Sequence, residues 1–177
     1  PFSSSVYLAT EALLLHGSEE QKKNYLPKLS AGELIGTFAH NETTSSPSVE
    51  NLKCEFSNGK LNGTKIAVPD GDIASISIVS AKEGDKVVLC VVNLSAEGVE
   101  ITNQNTLDPS RSHASITFKN VESEILGKGE DGWQNLQEVL DRAAVLFAFE
   151  QLGGAEACMN MAKEYALGRF AFGRPIA

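Results

Sequence analysis

The residues Leu136, Val139, Leu140, Ala143, Phe147, Leu152, Ala155, Met159 and Ala162 recur at threes and fours, the spacing of one helical face. A single helix from Gln134 to Arg169 would span roughly 50 Å at about 1.5 Å per residue, more than a small domain needs. It therefore calls for neighbours along its length. At its end, Tyr165-Ala166-Leu167-Gly168-Arg169-Phe170-Ala171-Phe172-Gly173-Arg174-Pro175 puts Arg169 and Phe172 three apart. On a continuing helix they share a face, where a permanent cation and a flat ring suit a phosphate or a cofactor.

The chain before this helix falls into two kinds of segment. Ser4 to His16 carries Val6, Leu8, Ala9, Ala12, Leu13 and Leu15 with one acid, Glu11, and reads as a largely buried helix ended by Gly17. Ser18 stands three before Gln21 in a capping-box arrangement that starts a second short helix, closed by Pro27 and Gly32. Its Lys22, Lys23 and Lys28 form a solvated face. From Leu34 the period changes. Leu34 to Ala39 is short and apolar, as a buried strand is, and a polar loop, His40 to Ser48, follows. Asn58-Gly59 predicts a hairpin turn between Cys54-Glu55-Phe56 and Leu61. Ile73–Val79 and Val87–Leu94 are β-rich runs joined at Glu83-Gly84-Asp85, and Val99–Thr102 and Ala114–Lys119 complete the set. Short strands without intervening helices predict antiparallel pairing in a small barrel or sandwich, hence an α+β chain.

Charge and cysteine usage narrow the function. A formal charge of −8 speaks against nucleic acid, which needs clustered Lys and Arg. It does not exclude an anionic ligand, because a local Arg can still bind phosphate. Cys54, Cys90 and Cys158 stand far apart without metal spacing and read as reduced thiols. No apolar run approaches the roughly 20 residues of a membrane span, and no signal-peptide pattern stands at Pro1.

Two motifs carry less than they promise. Gly127-Lys128-Gly129-Glu130-Asp131-Gly132 matches G-x-G-x-x-G, but a nucleotide loop needs a parallel βαβ setting, and Glu130 and Asp131 would repel a pyrophosphate. It reads as the linker into the long helix. His40 and Glu42 lack a third ligand nearby, so no metal site is expected.

The end of the chain, Tyr165, Arg169, Phe172, Gly173, Arg174, Pro175 and Ile176, resembles the Tyr-x-x-x-Arg-x-x-Phe-Gly-Arg-Pro-Ile signature that opens the C-terminal helical domain of acyl-CoA dehydrogenases. Gly17 to Glu33 resembles the family's stretch leading into its central β-domain, and Leu61-Asn62-Gly63-Thr64-Lys65 resembles its Leu-Asn-Gly-x-Lys strand. The resemblance covers almost the whole chain, but only the middle of a family member. It implies that residues 1–33 end an N-terminal helical domain. Residues 34–126 then form the central β-domain, and 127–177 the linker and first long helix of the C-terminal domain.

The resemblance also implies a chemistry: FAD-dependent α,β-desaturation of an acyl-CoA, in a homo- or hetero-oligomer, dimer or tetramer. Electrons would pass to an acceptor flavoprotein, in the cytoplasm of a bacterium first and in the mitochondrial matrix second. The implied cofactor contacts are Phe38, Asn41, Ser46, Pro69, Arg169 and Phe172, with Ser46 and Asp141 beside the substrate. Asn41 stands where the family has Thr, Glu42 keeps the family's Glu, and Ser46-Pro47-Ser48 replaces Gly-Ser-Asp. Ala67-Val68-Pro69-Asp70-Gly71 replaces Trp-Ile-Thr-Asn-Gly, which removes an aromatic platform, a hydroxyl and a backbone donor. Asp108-Pro109-Ser110-Arg111 resembles the Asp-x-x-Arg stretch of divergent family subunits. No catalytic residue carries over: the family's Glu base lies beyond Ala177 in most members, and its alternative place falls on Ala143, while the family's Arg has Ala144 in its place, next but one to Arg142. Two further readings follow, a non-catalytic partner subunit that completes another subunit's flavin pocket and a fragment that holds no cofactor.

Overall fold

The structure, a computed structural model, describes residues 1–108 and 110–176. Pro109, within the Asp108–Arg111 stretch, lies outside the described residues. The chain divides into two compact units, Pro1–Ala143 and Ala144–Ala177.

The first unit opens with a π-helical segment, Ser3–Thr10, that continues into the α-helix α1 (Glu11–His16). The first two turns are thus wider than the α-helix the apolar spacing predicts. This segment lies on β1 (Gly36–Ala39) so closely that a Cβ at Gly36 would stand 2.6 Å from the Ala9 Cβ. Ser5 Oγ accepts the Gly36 N–H at 3.1 Å. Gly17 ends α1 in extended backbone (φ −64°, ψ 148°) rather than a left-handed cap. A side chain there would meet the Leu13 carbonyl at 2.5 Å. The helix α2 (Glu19–Ser30) starts with the predicted capping box: the Gln21 N–H donates to Ser18 Oγ and the Ser18 N–H to Gln21 Oε1. Gln21 is buried because it also holds the segment after the strands, accepting the Gly127 N–H at 2.9 Å and donating to the Ile125 carbonyl at 2.8 Å.

The strands after β1 are β2 (Glu55–Ser57), β3 (Lys60–Pro69), β4 (Ile76–Glu83), β5 (Lys86–Asn93), β6 (Val99–Gln104), β7 (His113–Glu122) and β8 (Glu124–Ile125). They form one eight-stranded sheet in the order β6-β7-β3-β2-β4-β5-β8, with β1 added on β4. Asn58 and Gly59 both take positive φ, 52° and 77°, and turn β2 into β3 with Ser57 opposite Lys60, as Asn-Gly dictates. Most pairs are antiparallel, but β1 and the first residue of β2, Glu55, pair parallel to β4. Leu61, Val68, Ile116 and Phe118 from β3 and β7 share one buried cluster with Val79, Ala81, Val88 and Val92 from β4 and β5. The sheet therefore curls so that its two halves face one core, in keeping with the small barrel or sandwich the short strands predict. Ile73 is not in β4: its N–H and that of Ala74 turn back onto the Asp70 carbonyl, and the strand begins at Ile76.

The helix α3 (Gly132–Gly168) crosses the boundary between the two units. It starts against β5, where a Cβ on Gly132 would lie 2.3 Å from the Val87 carbonyl. In the second unit Val145, Phe149, Leu152, Met159, Met161, Tyr165 and Leu167 are all exposed. The unit closes with a two-stranded hairpin, β9 (Phe170–Ala171) and β10 (Arg174–Pro175). Helical geometry thus stops at Gly168, and the expectation that Arg169 and Phe172 share a helix face is corrected. Phe172 and Gly173 take positive φ, 53° and 80°, and form the hairpin turn instead.

Candidate functional site

The end of β1 meets β3 edge to edge. The Ile66 N–H donates to the Asn41 carbonyl at 2.9 Å, and Thr37 Oγ1 donates to the Pro69 carbonyl at 2.5 Å. These two bonds bring Phe38, Asn41 and Pro69, singled out from distant parts of the sequence, to one junction.

Beneath this junction lies a buried ion pair. Lys65, at an inward position of β3, has no exposed side-chain surface, and its Nζ lies 2.7 Å from Glu42 Oε1, whose side chain is 9% exposed. The same ammonium donates to Ser80 Oγ at 3.1 Å and to the His40 carbonyl at 3.4 Å. Glu42 also accepts the N–H of Lys53 at 2.6 Å and of Cys54 at 2.9 Å. Burial works to raise the Glu42 carboxyl, yet the Lys65 ammonium and the two amides hold it below the usual carboxylate range. His40 is pushed down to about 4 by burial and by the Lys65 charge, so its ring is neutral near pH 7, and its Nδ1 is buried without a partner.

The individual residues divide. Phe38 is a core side chain, 1% exposed, with its ring 5.7 Å from the His40 ring. All four residues of β1 are buried, against β4 and the π-helical segment, so the Phe38 ring packs in the core. Asn41 is half-buried at the loop mouth, and Ser46 is exposed on the loop. Ser46 lines a small crevice of about 10 Å³ with His40, Glu42 and Asn51. Asp141 is exposed on the first-unit part of α3, in an open groove of about 600 Å³ with Gln134, Gln137, Glu138 and Leu140. The cation of that groove, Arg142, donates its Nε to Glu11 Oε2 at 2.9 Å, so it ties α3 to α1.

The β3 wall fits a flavin poorly. Ala67 is a left-handed residue (φ 51°) at a bulge between Lys65 and Val68, and its N–H donates to Gln104 Oε1 at 3.0 Å. The Ile66 N–H is held by Asn41 and the Asp70 N–H by the Ser112 carbonyl at 2.9 Å. Pro69 has no N–H, and its carbonyl is taken by Thr37. What Pro69 offers a ligand is therefore an apolar ring, not a hydrogen bond. Sequence reasoning passed over Gln104, which sits on an exposed strand with nothing local to mark it. Lys65 did carry a signal, a Lys at the inward parity of a strand that also buries Leu61.

In the second unit the site residues fit an external anion better. Arg169 is exposed, and its backbone is fixed by bonds from its N–H to the Tyr165 carbonyl (2.8 Å) and from the Ile176 N–H to its own carbonyl (2.9 Å). Phe172 is fully exposed at the hairpin tip.

The glycine-rich segment supports no nucleotide. Gly127 and Gly129 take positive φ, and β8 before them is antiparallel to β5. The hollow beside them, about 780 Å³, sets Glu83, Asp85, Glu130 and Asp131 against Lys86 and Lys128. Among the described residues no group of three or more His, Cys, Asp or Glu could hold a metal, and no helix is long and apolar enough to cross a membrane.

No family model matches the chain. It is 32% identical over 184 residues to the acyl-CoA dehydrogenase of Bacillus subtilis (strain 168), covering 96% of this chain and 48% of that one. To the mitochondrial isovaleryl-CoA dehydrogenase of Solanum tuberosum it is 29% identical over 191 residues, covering 99% and 46%. The structure of a glutaryl-coenzyme A dehydrogenase in its glutaryl-CoA complex superposes with a TM-score of 0.89 at 26% identity, over 98% of this chain and 48% of that one. The chain spans about half the length of the curated relatives it matches.

Proposed function

The chain belongs to the acyl-CoA dehydrogenase family, and from that membership we propose that it supplies part of the flavin site of an enzyme that desaturates an acyl-CoA at its α,β bond. The observation that carries this is the exposed pair Arg169 and Phe172, fixed in a hairpin, within the full Tyr165-to-Ile176 motif. A guanidinium donates two parallel hydrogen bonds to phosphate oxygens, which suits the pyrophosphate of FAD. Asn41 and Ser46 would face the ring system, Asn41 with a donor and an acceptor on one side chain. When bound, the flavin supplies the hydride acceptor for the desaturation. The contribution of this chain's own residues is to bind and orient it.

The proposed setting is an oligomer, a dimer or tetramer, in which Arg169 reaches the dinucleotide of a neighbouring subunit. Asp141 would stand beside the acyl-CoA as an exposed carboxylate. An electron-accepting flavoprotein and a bacterial cytoplasmic or mitochondrial-matrix setting complete the proposal.

A specific observation favours a second reading, a subunit that completes a partner's flavin pocket without doing chemistry itself. The amides of Ile66, Ala67 and Asp70 are all committed internally, and Ala67 provides no ring for a flavin to stack on. One experiment separates these readings. The purified chain is examined for a flavin absorbance band, and that band is followed on adding a series of acyl-CoA thioesters, with and without a co-expressed partner subunit. Bleaching by the chain alone supports the first reading and bleaching only with the partner the second. Colourless protein that does not take up added FAD in either state rejects both.

A further inference from the structure

We propose that Lys65 is a positioning residue for the candidate site: through Glu42 and the His40 carbonyl it fixes where Asn41 stands and holds the Ser46 loop closed. The inference rests on the functional reading for the meaning of Asn41 and Ser46, and on the structure alone for the clasp.

Three consecutive residues just after β1, His40 to Glu42, are gripped by two consecutive residues of β3. Lys65 Nζ donates to the His40 carbonyl, the Ile66 N–H donates to the Asn41 carbonyl, and Lys65 Nζ pairs with the Glu42 carboxylate. Asn41 thus has a fixed residue on either side and its own carbonyl tied down, so its side chain leaves the backbone from a defined point. Glu42 performs a second task. Its two oxygens accept the N–H groups of Lys53 and Cys54, which lie at the far end of the loop 43–52. One carboxylate therefore joins the loop's entrance to its exit, and the loop carries Ser46.

The loop has few internal supports of its own. Thr43 Oγ1 accepts the Ser45 N–H at 3.3 Å, and Ser48 accepts the Asn51 N–H on its carbonyl at 3.2 Å and on its Oγ at 3.3 Å. Residues 43–47 are exposed. Its closure accordingly depends on the Glu42 carboxylate, and the orientation of that carboxylate depends on Lys65. The ammonium is anchored in turn by Ser80 Oγ on β4, so the clasp is fastened to the centre of the sheet. A buried cation with three oxygen partners is a costly thing to keep where an apolar side chain would fill the same space. Such a group earns its place by specifying one geometry, here that of the β1 end.

The test uses the whole chain and three variants. Lys65→Met alone strands a buried carboxylate and can fail to fold. The double variant Glu42→Leu/Lys65→Met removes both charges, and Glu42→Gln keeps the shape while weakening the grip. The double variant is expected to unfold as cooperatively as the unaltered chain, while amide exchange over residues 41–54 speeds up about tenfold or more and exchange in β5 and β7 stays the same. FAD is expected to bind it about tenfold more weakly, with an altered visible circular dichroism of the bound flavin, a signal that loss of stability alone does not move. Unchanged exchange over 41–54 in a folded double variant overturns the proposal. If the double variant does not fold, the same measurement on Glu42→Gln decides. If the unaltered chain takes up no FAD, the functional reading fails by itself, and the exchange data still decide whether Lys65 holds the loop.

Discussion

Gln104 Oε1 accepts the Ala67 N–H at 3.0 Å, and so a side chain from an edge strand takes one of the two amides of the β3 bulge that its ladder leaves over, the other being that of Ile66. Both residues are exposed, so the bond contributes in the range of about 0.5–1.5 kcal/mol. Gln104→Ala should leave the fold intact, lower its stability by no more than that, and speed exchange of the Ala67 amide. Exchange measured residue by residue checks it, and an unchanged Ala67 rate would show that the bond does not persist in solution.

Stability should fall on mild acidification because of His40. Its ring is neutral in the folded chain and titrates near 4, whereas in the unfolded chain it titrates near 6.5. A lowered folded value means that the unfolded chain binds the proton first, so stability declines as pH drops from about 6.5 towards 4. The difference corresponds to about 3 kcal/mol for this residue. His16, lowered mainly by burial with Glu138 acting the other way, adds to the slope in the same direction. Urea unfolding at a series of pH values should show the decline, and His40→Leu should flatten most of it.

Two glycine substitutions should act in opposite senses. Gly63 has φ 137°, and a Cβ there would stand 2.8 Å from the Cys54 Cα, so Gly63→Ala forces backbone apart and should cost several kcal/mol. Gly153 lies within α3 with nothing inside 4 Å of an added Cβ. Gly153→Ala should therefore stabilise that helix by about 0.5–1 kcal/mol. Denaturant midpoints of the two variants test the contrast.

Phe172 is held in left-handed backbone with its ring fully exposed. That conformation costs a non-glycine residue about 1–2 kcal/mol. Phe172→Gly should relieve the strain and tighten the hairpin, while weakening FAD uptake if the ring touches the cofactor. Arg169→Lys should weaken uptake without changing stability, because an ammonium cannot make the two parallel bonds of a guanidinium. Flavin titrations with thermal melts of both variants separate the effects.

The parts of this structure legible in the sequence are those decided within a few residues. Ser18 and Gln21 announce their capping box, and Asn58-Gly59 its turn, because each pair satisfies its own backbone. The family motifs led to the Asn41 and Arg169 segments for a different reason, resemblance rather than local physics. What escaped was settled at long range. The parallel pairing of β1 with β4 depends on Ile78 standing opposite Phe38, forty residues away in sequence, and no local pattern encodes it. The wide turns at Ser3–Thr10 lie against β1, and the apolar spacing alone does not distinguish them from ordinary helix. Phe172 is hidden for the reverse reason: a bulky aromatic is a poor candidate for left-handed backbone, so the spacing from Arg169 looks like a continuing helix.

Gln21 gives the first unit a property that no single helix or strand has. Its Oε1 accepts both the Ser18 N–H at the start of α2 and the Gly127 N–H on the way to α3, while its Nε2 donates to the Ile125 carbonyl. Fraying at either place costs this buried amide part of its hydrogen bonding, so the two segments, more than a hundred residues apart in sequence, are coupled through one side chain.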